Sequence, residues 1–205
     1  MYYGGLLLSI IPNARHFSCG PYFSKRRFPA KHATDEYTQN ILRIKRGDVA
    51  SAKTVAVVMA AKIVELGLPY EMLVPVPNHY NHTENCIYSC RLDKPNTKAE
   101  LLTQAVAREI RKAGKNSHSY PDVLARISKT KRFGRSGVPE RQLAAENDFK
   151  ISNYIIKNNN LIKDNTIILI DDITTSGSTT DVCQQLLLDN GVRQVYIVSA
   201  AETVV

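Results

Sequence analysis

The chain has 205 residues, 43% of them apolar and 22% charged, with a formal net charge of +8. That length holds one α/β domain with a sizeable core, and that balance of residues excludes a wholly disordered chain. No apolar run approaches the length of a bilayer span. Leu6 to Ile11 is too short, and too poor in preceding basic residues, for a secretory leader, so a cytoplasmic protein without membrane association is expected.

The first 40 residues are punctuated by Pro12, Gly20, Pro21 and Pro29 and read as irregular. Four cysteines, at positions 19, 86, 90 and 183, form no paired metal spacing, and no metal is expected in the N-terminal segment. A helix follows from about Ala50 to Leu66, with Val55, Met59, Ile63 and Leu66 on one stripe and Gly67 and Pro69 to end it. Met72 to Val76 reads as a strand stopped by Pro75 and Pro77. Thr97 to Ala113 is amphipathic, with Leu102, Val106 and Ile110 on one face. Val123 to Ile127 is a short strand, and Phe149 to Ile156 a further strand or hairpin arm. Between those two, Ser128 to Glu146 is a polar, basic stretch of the length usual for a lid or binding loop.

The charge is uneven. Residues 151–205 hold Lys157, Lys163 and Arg193 against six acids, so the excess of positive charge lies wholly in the first 150. Nine basic residues lie between Arg108 and Arg135, opposed only by Glu109 and Asp122. Such a block suits nucleic acid, a polyanionic small ligand, or a solvated face. The sparse aromatics, Tyr120 and Phe133, give little basis for stacking on single strands.

The most informative stretch runs from Thr166 to Thr179. Ile167 to Ile170 is β-branched and apolar throughout, as a strand buried on both faces of a parallel sheet must be. Asp171 and Asp172 follow where that strand emerges, then the turn Thr174-Thr175-Ser176-Gly177-Ser178-Thr179, then a helix to about Asn190 ended by Gly191. Val195 to Val198 forms the last strand. Backbone N–H groups and hydroxyls at a helix N-terminus suit a phosphate, and adjacent carboxylates suit vicinal sugar hydroxyls. The plainer alternative is a strand-to-helix turn with a serine or threonine cap and a solvated acidic pair.

This stretch resembles the signature of type I phosphoribosyltransferases. Tyr37 to Gly47, the Val-Pro-Val-Pro segment ending at Pro77, and Lys94 to Leu102 resemble the competence-associated, ComF-like branch, which is similar to amidophosphoribosyltransferases. The resemblance implies an α/β fold: an open, mostly parallel sheet flanked by helices. It also implies a division into a small N-terminal hood, residues 1–45, and a phosphoribosyltransferase domain, residues 46–205. On the same ground Asp171 and Asp172 hold the ribose hydroxyls and, indirectly through the ligand, Mg²⁺. Thr174, Thr175, Ser176, Gly177, Ser178 and Thr179 hold the 5′-phosphate, and Val76, Pro77, Asn78, His79, Lys94 and Arg141 meet the diphosphate. The activity implied is Mg²⁺-dependent displacement of diphosphate from 5-phosphoribosyl-1-diphosphate by a nitrogen nucleophile, with homodimerisation compatible. The alternatives are a non-catalytic sensor of that ligand or of a nucleotide, and an accessory protein in DNA uptake.

Overall fold

The computed structural model describes residues 16–77, 98–127, 148–158 and 160–205. Asn78, His79, Lys94 and Arg141, with the whole of the predicted basic loop from Ser128 to Glu146, lie outside these residues. The elements in chain order are β1 (His16–Ser18), β2 (Pro21–Tyr22), α1 (Pro29–Thr34), α2 (Glu36–Ile44), α3 (Val49–Leu66), β3 (Met72–Pro75), α4 (Lys98–Lys112), β4 (Leu124–Arg126), β5 (Phe149–Ile151), α5 (Asn153–Lys157), β6 (Thr166–Thr174), α6 (Ser178–Asp189) and β7 (Gln194–Thr203).

Among the described residues a parallel sheet of five strands forms the centre. β6 lies between β3 and β7, β1 lies beyond β7, and β2 pairs farther along β7. β4 and β5 make a separate antiparallel pair. The alternation of side chains along β6 divides the core in two. Ile168 and Ile170 pack with Val55, Met59 and Ile63 of α3 and with Leu102, Val106 and Ile110 of α4. Ile167 and Leu169 pack on the opposite face with Cys183 and Leu187 of α6, beside Met72 and Val74 of β3. All four β6 side chains are fully buried, each worth roughly 1.5–3 kcal/mol of transfer from water. The expected open, mostly parallel sheet with helices on both faces is therefore the observed one.

Capping sets the helix limits. Asp48 accepts a hydrogen bond from the Ser51 N–H at the start of α3, and Gly67, at φ 59°, ends it in the left-handed region. The strand expected over Phe149 to Ile156 stops at Ile151, because Ser152 accepts from the Ile155 N–H and starts α5. The last strand outruns its expected limits and continues to Thr203.

The largest departure from the sequence reading concerns residues 16–40, the described part of the first 40, which are regular and not irregular. Asp35 caps α2 by accepting from the Thr38 N–H, and Ile41 and Ile44 are fully buried in the cluster that also holds α3. Tyr37 Oη donates to the Ala200 carbonyl at 2.7 Å, fastening α2 to β7. β1 pairs with β7 in the register His16 to Ile197, Phe17 to Val198 and Ser18 to Ser199.

Two adjacent strands are followed, among the described residues, by helices on opposite faces of the sheet. After β3 the next described helix, α4, packs on one face, and after β6 the chain enters α6 on the other. Such a reversal opens a crevice at the carboxyl ends of the strands.

Candidate functional site

At that edge the ladder runs farther than the sequence reading expected. β6 continues through Asp171 and Asp172 to Thr174, with Asp171 opposite Ser199 and Thr174 opposite Glu202. Because β7 extends alongside, the two carboxylates do not emerge into solvent: each residue is only 7% exposed. On the other flank the Val76 N–H donates to the Ile170 carbonyl at 2.9 Å, which sets buried Val76 and half-buried Pro77 level with the acids.

The acidic pair is internally bonded. The Asp172 N–H donates to Asp171 Oδ1 and the Ile173 N–H to Asp172 Oδ1, both at 2.8 Å. Burial, and then the neighbouring charge of Asp172, push the Asp171 carboxyl up to about 8. The protonated form of Asp171 is therefore favoured near neutral pH. Such a pair can both donate to and accept from hydroxyl groups. Lys45, just past the end of α2, brings its Nζ to 3.7 Å from Asp172 Oδ2. Tyr22 is near enough that the Asp172 charge, after burial, raises its phenol above the ordinary value.

The turn follows at once. Gly177 holds φ 77° and ψ −14° and is the N-cap of α6; having no side chain, it leaves the first amides of the helix without a side-chain cap. Thr175, Ser176 and Thr179 are exposed, Gly177 and Ser178 half-buried, and the Ser176 and Ser178 hydroxyls lie 2.9 Å apart. The Thr180 hydroxyl donates to the Gly177 carbonyl at 2.7 Å and closes the turn from below. Free amides, hydroxyls and the positive end of the helix dipole together make an anion cradle.

Thr174 differs from its expected place in that cradle. It is buried, and its hydroxyl lies 3.1 Å from Nε2 of His16, which also lies 3.4 Å from the Ser199 hydroxyl. Burial lowers the His16 imidazole below its ordinary value, opposed by the charges of Glu202 and Asp181. Asp181, in the first turn of α6, is raised by burial and lowered by His16. Its Oδ2 would lie 3.3 Å from a Cβ on Gly177, so a carboxylate closes one side of the turn.

The structure thus brings together Val76, Pro77, Asp171, Asp172 and the turn from Thr175 to Thr179. It adds Lys45, Tyr22, His16 and Asp181, which the sequence reading did not assign. Lys45 falls in the Tyr37 to Gly47 segment singled out above, but nothing local in that segment points at Asp172. Among the described residues no cluster of three His, Cys, Asp or Glu side chains could cage a metal ion. Two adjacent carboxylates do fit the partial role usual for Mg²⁺, whose remaining positions are filled by water and ligand phosphates. Cys19 and Cys183 carry thiols that burial raises, Cys19 to about 12, so neither is a thiolate near neutral pH.

In the basic block the Arg111 guanidinium donates to the Ser117 carbonyl, Lys112 pairs with Glu109 at 2.7 Å, and Arg126 pairs with Asp148 at 3.0 Å. These cations already have partners within the fold. No helix among the described residues is long and apolar enough to cross a membrane.

No family model and no curated protein matches the chain. Solved structures do. One is an allosteric regulatory enzyme of purine biosynthesis, at 13% identity and TM-score 0.42, covering 73% of this chain and 25% of that one. Another is an HPRT with glutamic acid in place of an invariant aspartic acid, at 11% identity and TM-score 0.41, covering 78% and 66%. A third is a hypoxanthine phosphoribosyltransferase from Staphylococcus aureus, at 13% identity and TM-score 0.41, covering 74% and 63%. The chain spans a quarter of the first of these proteins and just under two thirds of the other two. The functional reading below rests on the site itself.

Proposed function

We propose that the chain binds 5-phosphoribosyl-1-diphosphate and transfers its phosphoribosyl group to a nitrogen nucleophile. One observation carries the reading: a buried carboxyl pair lies shortly before an uncapped helix N-terminus, at the carboxyl end of an interior strand of a parallel sheet. Hydroxyls on the pair and a phosphate on the turn are the complement of a phosphorylated sugar. In the reaction the bond from C1 to the diphosphate oxygen breaks, a bond from C1 to nitrogen forms, and the nitrogen releases a proton. C1 passes through an oxocarbenium-like state, so the protein need supply no covalent nucleophile. Asp171 and Asp172 hold the ribose, the turn from Thr175 to Thr179 fixes the 5′-phosphate, and Pro77 borders the path toward the diphosphate. Mg²⁺ arriving with the ligand would absorb charge on the departing diphosphate.

Two measurements test this. Diphosphate release is followed across a panel of amines and nucleobases, and release coupled to consumption of an acceptor is the expected result. Calorimetry on the Asp171→Asn, Asp172→Asn double variant should show ligand binding abolished, and unchanged affinity in a folded double variant discards the assignment.

A further inference from the structure

Lys45 is held in place more firmly than a surface lysine. Asp35 caps the helix that leads to it, Ile41 and Ile44 anchor that helix in the core, and Tyr37 ties it to the Ala200 carbonyl. The Lys45 N–H donates to the Ile41 carbonyl at 3.2 Å, and Gly47, at φ 87°, turns the chain away just beyond. Its neighbours Arg43 and Arg46 are exposed, whereas the Lys45 side chain is 34% exposed and directed at the acidic pair. Asp172 Oδ1 is taken by the Ile173 N–H, so the ammonium meets Oδ2, the oxygen left for a ligand.

An anionic ligand faces a difficulty here. The Asp172 charge beside the groups that should meet its hydroxyls also repels its phosphates, and Asp181 adds a further acid beside the turn. Among the described residues Lys45 is the cation paired with this acidic pair.

We infer that Lys45 is a ligand-positioning residue, whose ammonium at Asp172 offsets the charge of the acidic pair so that an anionic sugar phosphate can close on those carboxylates. This rests on the reading of the site given above and adds to it a residue from the N-terminal segment. The ammonium lies 3.7 Å from Asp172 Oδ2, and its side chain is partly exposed, so an arriving anion can also meet it. The benefit grows with ligand charge and shrinks as salt screens it.

The test compares the full-length chain with Lys45→Met, which keeps the length and apolar stem, and Lys45→Arg, which keeps the charge. Binding of 5-phosphoribosyl-1-diphosphate and of ribose 5-phosphate is measured by calorimetry at a fixed Mg²⁺ concentration, beside thermal melts. Lys45→Met should melt like the parent yet bind the diphosphate roughly tenfold more weakly. The loss should be smaller for ribose 5-phosphate, should narrow as salt is raised, and should be largely restored in Lys45→Arg. A merely structural lysine at a helix end would shift the melt and leave the order of the two ligands unchanged. Equal binding by parent and Lys45→Met overturns this inference alone, and tighter binding by Lys45→Met overturns it by making the lysine a plug. Failure of the parent to bind either ligand overturns the reading of the site, and the inference falls with it.

Discussion

Replacing Asp171 with asparagine keeps the outline of the side chain and removes its ability to ionise. In the folded protein that carboxyl titrates at about 8 in place of its ordinary 3.8, because burial and the Asp172 charge oppose its anion. The native state thus holds a proton that the unfolded chain releases above about pH 4, so this group makes stability fall as pH rises. The loss accrues at about 1.4 kcal/mol per pH unit from the unfolded value up to the folded one, and levels off beyond. By pH 7, about three units have accumulated, or about 4 kcal/mol, and asparagine avoids that cost. Its amide must find partners where the protonated carboxyl was satisfied, which returns about 1–2 kcal/mol. The net expectation is a variant about 2 kcal/mol more stable at pH 7. Urea unfolding of both proteins from pH 4 to 9 checks it. The difference between the two curves should open by about 1.4 kcal/mol per unit and flatten above pH 8, while the other titrating groups largely cancel. A variant less stable than the parent, with a difference that ignores pH, would refute the claim that Asp171 is held protonated by its surroundings.

Gly177→Ala places a Cβ at φ 77°, with Asp181 Oδ2 3.3 Å away, and should cost about 1–2 kcal/mol in a thermal melt while weakening phosphate binding. The carboxylate can rotate aside, so backbone strain is the larger part; an unchanged melting temperature would count against the left-handed turn. Asp35→Ala removes the cap of α2 and should cost about 1 kcal/mol in urea unfolding. Because α2 ends at Lys45, the same variant should also weaken ligand binding, and full affinity in it would separate the cap from the site.

The elements that could be read from the chain are those whose signal is local. Ile167 to Ile170 announce a strand buried on both sides because every residue is apolar, and they belong to an interior strand of the sheet. The α3 and α4 stripes were legible for the same reason, since a period of 3.6 residues puts Val55, Met59 and Ile63, or Leu102, Val106 and Ile110, against one neighbour. Gly177 announced a turn where a side chain would be strained, and it takes a positive φ. The limits that failed, at Ile151 and Thr203, were decided by one serine cap and by added strands, neither of which alters an apolar pattern.

By itself, then, the sequence determined which segments form strands and helices, and it placed two aspartates ahead of a glycine-capped turn. Tertiary structure alone decided that His16 to Ser18 would lie beside Ile197 to Ser199, that β7 would run on and bury the acids, and that a lysine from α2 would reach Asp172. Local composition cannot encode such pairings. A parallel contact between the two ends of a chain depends on how helices cover both faces of the sheet between them, and a carboxyl group's proton affinity depends on what that covering leaves in contact with water.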